Sequence, residues 1–174
     1  WLWFWRSRWR RRWRRGLVKP LWYLLNLSYF FMFFNILGLL LVGLQGYFFF
    51  YIFKMNHMQM ALWITLIYLF SQSFIYFFII AFSKAIRESM ESRKIKMIMD
   101  DNFIKVKIKM HLHFFINMLL VMSNFLLGGA VHNNLMSGTI HGLLFFILFF
   151  EYIWLCVLQH KTYAFYMNSL KLLD

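Results

Sequence analysis

The residues best able to do chemistry in this chain are six histidines and one isolated carboxylate, Glu151. Histidine could hold a buried cofactor, because a haem between two helices needs one imidazole from each helix at matching depth. We expect His132 and His141 to form an outer pair, and His113 and His160 an inner pair. Haem or chlorin binding by these pairs is one hypothesis. Interfacial histidines that hydrogen-bond water and lipid headgroups would produce the same pattern.

Small residues make the outer pair the better candidate for cofactor binding. Residues 128–130, two glycines and an alanine, come just before His132, and Gly142 directly follows His141. Small side chains leave room for a flat macrocycle, and they equally allow two helices to approach closely. Both interpretations stay open at this point.

Glu151 is the only formally charged residue within a predicted span. An ionised carboxylate inside a membrane costs several kcal/mol, so it must be protonated, paired or turned towards a polar interior. A structural hydrogen bond, a contact with a neighbouring subunit, and proton or quinone chemistry are the three alternatives. The expected partners within the chain are hydrogen-bonding side chains: Asn26, Asn35, Ser71, Gln72, Ser73, Asn117 and Ser123.

The elements that must position these residues are membrane-spanning helices. Hydrophobic residues make up 62% of the chain, against roughly 45–50% in an average soluble domain. Four long apolar stretches, uncharged except for Glu151 in the fourth, each reach or exceed the roughly 20 residues that one crossing requires. We therefore expect an all-α integral membrane protein with two antiparallel helical hairpins, residues 20–83 and 112–160. The predicted spans lie near residues 21–44, 61–83, 112–131 and 140–159.

The distribution of cations predicts the orientation of these helices. Of the 19 Lys and Arg residues, all but Lys54 fall in residues 1–19, 84–109 and 161–171. Because cytoplasmic or matrix-side segments carry the excess of Lys and Arg, both termini, the loop 84–111 and the tail 161–174 are expected on that inner side. Residue usage rich in Phe, Ile, Met, Tyr, Asn and Lys favours a bacterial plasma membrane or the mitochondrial inner membrane.

Residues 1–19 have an unusual composition, with seven Arg and no acidic residue. Tryptophan recurs at every fourth position from Trp1, which places four indoles in one stripe on a helix. The pattern predicts an amphipathic interfacial helix bound to anionic phospholipid. A basic end that only fixes topology, and docking on an acidic subunit, are the alternatives. The predicted lipid- or partner-binding residues are Trp5, Arg6, Arg8, Trp9, Arg10, Arg11, Arg12 and Trp13.

The inner loop, residues 84–111, has two unlike halves. Its first half continues the second span with good helix formers, and residues 100–102, Asp-Asp-Asn, resemble a break. From Ile104 onward apolar and basic or His residues alternate strictly, which predicts a strand over residues 104–111. Its cationic face would bind phosphates or an acidic partner by strand addition, or the segment is an extended lead-in to the third span. The basic residues concerned are Lys105, Lys107 and Lys109.

The motifs that the sequence lacks restrict its function. A single cysteine, Cys156, excludes an internal disulfide and a Cys-based zinc or iron–sulfur site within this chain, and we find no phosphate-loop, dinucleotide-binding or zinc-protease motif. We therefore do not expect an enzyme on its own. We expect an accessory or scaffold subunit of a larger energy-transducing, respiratory or photosynthetic membrane complex, in contact with other membrane subunits and anionic phospholipids but not nucleic acid. A haem- or quinone-binding anchor for electron transfer is the alternative, and a proton-conducting or transport subunit that uses Glu151 is the second alternative.

Overall fold

The described part of the chain is all-helical. The computed structural model describes the backbone of residues 2–91 and 96–171 and the side chains of residues 23–84, 86–87 and 104–168. Four helices follow one another: α1 (Leu2–Phe48), α2 (His57–Glu91), α3 (Lys96–His132) and α4 (Gly138–Lys171). Each contains an apolar stretch long enough to cross a membrane: Tyr23–Phe48, His57–Lys84, Ile104–His132 and Gly138–Asn168. The prediction of an all-α chain with four such helices is therefore confirmed.

Helix α1 joins two segments that the sequence predicts as separate elements. Residues 2–19 are helical, but the helix continues through Pro20 into the first span without a break. The side chains of residues 1–22, which include the predicted lipid-binding Trp and Arg residues, lie outside the described side chains. Their position at a membrane surface therefore stays a prediction. The helix ends at Phe48 rather than near residue 44.

Residues 104–111 are helical, so the predicted strand is wrong, and so is the break at residues 100–102. Helix α3 includes both segments without interruption. A lone strand would leave its backbone groups without partners, whereas the helix pairs each of them with a group four residues away. On the helix the alternating apolar residues do not share one face, since Met110 is 1% exposed and Leu112 is 57% exposed.

Consecutive helices pack along their lengths. Where α1 leads into α2, Gly46 lies against the ring of His57, and further from the connection Asn35 Nδ2 donates to Ser71 Oγ at 2.7 Å. Helix α3 packs on α2 and α4, and α4 also packs on α1 and α2. The four helices therefore enclose one shared core.

The centre of this core is polar and hydrogen-bonded. Gln159 Nε2 donates to Gln72 Oε1 at 3.0 Å, Gln72 Nε2 donates to the Tyr152 hydroxyl at 3.2 Å, and that hydroxyl donates to the Met32 carbonyl at 3.3 Å. This chain of bonds joins α4, α2 and α1. The buried Tyr68 hydroxyl donates to Asn117 Oδ1 and adds a link to α3. Such bonds join helices in a lipid environment, where apolar burial between helices is a weak driving force.

The outside of the helices is covered by large apolar side chains. A soluble protein rarely exposes an apolar surface of this extent, whereas lipid tails are a matching solvent for it. Side chains more than 60% exposed occur on all four helices: Tyr23, Phe33, Phe48, Phe70, Phe77, Ile108, Leu119, Leu126, Leu143 and Phe150.

Candidate functional site

A cavity of about 830 Å³ lies at the end of the bundle that carries the two connections 49–56 and 133–137. We call this end the loop end and the cavity the loop-end cavity. All four helices line it, through residues that include Gln45, His57, Asn124 and His141. Cavities of this size and largely apolar character hold small molecules and cofactors in other proteins.

Hydrogen bonds from side chains that are near one another in the sequence stabilise the connection between α1 and α2. Gln45 is fully buried, and its Nε2 donates to the carbonyls of Phe50 and Met55 at 3.0 and 2.9 Å. Asn56 and Gln59 each accept a bond from the other's backbone N–H, at 2.9 and 3.1 Å, and so form a capping box. This cap positions His57 as the first residue of α2.

The connection between α3 and α4 follows standard capping rules. Asn134 has a φ of 56°, and the N–H groups of Asn134 and Leu135 donate to the carbonyls of Val131 and Ala130 at 3.0 and 2.9 Å. This is a Schellman motif with Asn at the left-handed position. Ser137 then accepts a bond from the Thr139 N–H at 3.3 Å and caps α4. A short connection thus joins α3 to α4, between the spans predicted near residues 112–131 and 140–159.

His57 and His141 face each other at the loop end. Their ring centres are 6.3 Å apart and their planes meet at 72°. Each ring packs on a glycine of the preceding helix: a Cβ added at Gly46 would lie 3.0 Å from His57 Cε1, and one added at Gly128 would lie 3.1 Å from His141 Cε1. Neither glycine could be replaced without moving the imidazole beside it.

Both residues of the predicted outer pair line the cavity, and their binding of a cofactor stays a prediction. The side chain of His132 is exposed, and the imidazole that contacts His141 is that of His57. His57 was not among the histidines that the sequence predicted as pairs. One signal could have found it: a glycine near the end of one helix followed by a histidine at the start of the next occurs twice, as Gly46 with His57 and Gly128 with His141.

The two residues of the predicted inner pair, His113 and His160, each contact a different side chain. His113 Nδ1 lies 2.7 Å from Glu151 Oε1. His160 Nδ1 lies 2.8 Å from the hydroxyl of Tyr29. Each imidazole is thus bonded through Nδ1 to a different side chain, and cofactor binding by the two histidines stays a prediction.

The partner of Glu151 is a histidine rather than one of the amides and hydroxyls that the sequence suggested. The prediction missed it because His113 was assigned to the inner border of the third span, whereas α3 and its apolar stretch begin earlier and place it a few turns inside. Of the proposed amide partners, Asn35, Gln72 and Asn117 bond within the polar core instead.

The histidine–glutamate pair belongs to a larger polar surface on α3 and α4. Lys109 Nζ lies 5.5 Å and Lys161 Nζ 5.9 Å from the centre of the Trp154 ring, within cation–π range. The His113 ring centre is 6.3 Å from the same indole. We call these residues, together with Glu151, the α3–α4 polar patch. His113 and Glu151 are about one-fifth exposed, at 21% and 20%.

The other predicted binding residues of the inner loop are two exposed lysines, Lys105 and Lys107, on the first described turns of α3. Their role in lipid or partner binding stays a prediction. Among the residues that the structure describes, no group of three or more His, Cys, Asp or Glu side chains could hold a bare metal ion.

The fold and the composition define the class: four helices long and apolar enough to cross a bilayer make this chain a multi-pass membrane protein. No protein-family model matches the chain, and neither does any curated protein or solved structure.

Proposed function

We propose that this chain is an integral subunit of a larger membrane complex, of the energy-transducing kind, that contacts neighbouring subunits and anionic phospholipids. Its four spans would form two antiparallel hairpins with both termini on the cytoplasmic or matrix side. The cation distribution supports that orientation. The packing of Gly46 on His57, close to the first connection, supports the first hairpin.

The observation that carries the proposal is the α3–α4 polar patch. Lys109, Trp154 and Lys161 are exposed near the inner ends of the apolar stretches of α3 and α4, and the His113–Glu151 pair beside them is part-exposed within those stretches. A part-exposed carboxylate within a span is costly, and such a group usually meets a partner. Because cations outnumber the one carboxylate, the patch fits a neighbouring subunit that presents acceptor or acidic side chains.

Co-purification tests this function. The full chain, extracted from its own membranes in mild detergent, should migrate with one or more other membrane proteins. The double variant Lys109→Ala with Lys161→Ala should release that partner while the chain stays folded. Lys54→Ala is the matched control, because Lys54 is an exposed cation in the loop at the opposite end of the bundle, and it should leave the assembly intact. A stable monomer that carries only anionic phospholipid at the patch would contradict the proposal.

A second candidate function, a cofactor-binding anchor for electron transfer, is favoured by a separate observation. The loop-end cavity combines apolar walls with two imidazoles from different helices. That combination is typical of cofactor sites in helical bundles.

A further inference from the structure

We propose that His57 and His141 are the two axial ligands of an iron porphyrin bound in the loop-end cavity. The proposal gives the second candidate function a defined site, and it does not depend on whether the chain has partner subunits.

The spacing of the two rings fits this ligation. With metal–imidazole bonds of about 2.0–2.1 Å, and ring centres roughly 1 Å beyond each nitrogen, two axial imidazoles on one metal have centres about 6 Å apart. The observed separation is 6.3 Å. The angle of 72° between the planes is no obstacle, because each plane contains its own metal–nitrogen bond and can take any rotation about it.

The surroundings of the two imidazoles repeat. His57 packs on Gly46 and His141 packs on Gly128. The Nδ1 atoms of both rings are buried and have no hydrogen-bond partner among the described residues. Two independent helix pairs thus present an imidazole in the same manner.

The cavity has the room and the apolar walls that a porphyrin requires. Its volume of about 830 Å³ is within the range of cofactor pockets, and apolar residues such as Leu39, Val42 and Phe145 line it.

Two imidazoles favour an iron porphyrin over other occupants. A bare zinc ion requires three or four ligands, and the described residues offer no such cluster. Iron in a porphyrin needs only the two axial positions filled. The proposal places one iron porphyrin in the loop-end cavity, so we expect one haem per chain.

Optical spectroscopy of the full chain tests the proposal. The protein, produced in haem-sufficient membranes and purified in mild detergent, should contain equimolar haem by the pyridine haemochrome assay, with the spectrum of a low-spin, six-coordinate iron. His57→Ala and His141→Ala should each abolish that low-spin spectrum and lower the haem content. His111→Ala is the matched control, since this histidine packs against Tyr76 and does not line the cavity, and it should change neither.

A second variant separates loss of ligation from loss of folding. His141→Gly, supplied with free imidazole, should recover the low-spin spectrum, which a misfolded protein would not do. A folded chain without a Soret band after haem supply would overturn the proposal, as would a low-spin spectrum that survives both alanine substitutions. Chlorin bands, or a quinone extracted in place of haem, would equally overturn it. A haem-loaded chain that purifies alone would uphold this site and contradict only the partner-subunit proposal.

Discussion

Glu151 shows how a carboxylate is accommodated within a membrane-spanning helix. Its Oε1 lies 2.7 Å from His113 Nδ1, so the carboxylate has a hydrogen-bonding partner inside the same chain. This contact does not exclude a neighbouring subunit, because both side chains remain about one-fifth exposed. Proton transfer through Glu151 stays a prediction that the contact leaves open.

We predict measurable energetic coupling between these two residues. In a double-mutant cycle with Glu151→Gln and His113→Asn, measured by unfolding in mixed micelles, the coupling energy should be about 0.6 kcal/mol and at most about 1.7 kcal/mol, the average and the maximum found for polar contacts between membrane helices. His111 supplies the matched control. Its ring packs edge-on against Tyr76 at 5.0 Å, so Glu151→Gln with His111→Asn should be additive. Additivity in the first cycle would show that the contact contributes nothing to stability.

At the scale of elements, the helices approach each other closely at particular glycines. A Cβ at Gly43 on α1 would lie 2.6 Å from Cε1 and Cζ of Phe145 on α4, and one at Gly38 would lie 3.0 Å from Ile64 Cδ1 on α2. Gly43 and Gly46 lie on either side of residue 44, where the first span was predicted to end. Instead α1 continues past both, and the missing side chains are what allow α4 and His57 to pack there.

Gly43→Ala should therefore destabilise the packing of α1 on α4. The Phe145 ring must move from a packed position, a type of overpacking that costs typically about 1–3 kcal/mol. Gly129→Ala is the matched control, because a Cβ there has no heavy atom within 4 Å, and it should be neutral or slightly stabilising. Unfolding in mixed micelles measures both. In the double variant Gly43→Ala with Phe145→Leu, the smaller leucine side chain should restore part of the lost stability. Equal effects of Gly43→Ala and Gly129→Ala on stability would contradict the close approach of α1 and α4.

Helix α3 illustrates why a local pattern can predict the wrong element. The alternation from Ile104 to Phe114 is strict in the sequence, and taken alone it favours a strand. The apolar span that follows must be helical, and extending that helix satisfies the backbone without any neighbouring strand. The lysines then project from several sides of α3, and Lys109 reaches the Trp154 ring of α4.

At the scale of the whole molecule, the charge distribution makes a prediction about orientation. Single cysteines introduced at Lys54 and Asn134, in a Cys156→Ser background, should react with an impermeant thiol reagent only from the outer side of intact vesicles. A cysteine at Lys107 should react only from the inner side, because the excess of cations retains that segment in the cytoplasm or matrix. Labelling of Lys54 and Lys107 positions from the same side would contradict the proposed topology.

The sequence by itself determined the class of the protein, the presence of four long apolar helices and their approximate places. These properties depend on composition and length, since any chain this apolar must pair its backbone internally within lipid. The sequence also identified Glu151 and the histidines as the candidate functional residues. Their depth along each helix could not be read accurately, because helices α2, α3 and α4 extend beyond the apolar stretches used to predict their ends.

Only the tertiary structure decided which of these residues meet. The contacts of His57 with His141, of His113 with Glu151 and of His160 with Tyr29 each join residues from two different helices. Such contacts depend on the rotation of each helix about its axis and on its register against its neighbours. Glycines such as Gly46 and Gly128, and large rings such as Phe145, set both through close packing. Because packing brings together surfaces from segments that are far apart in the chain, no local sequence pattern encodes it.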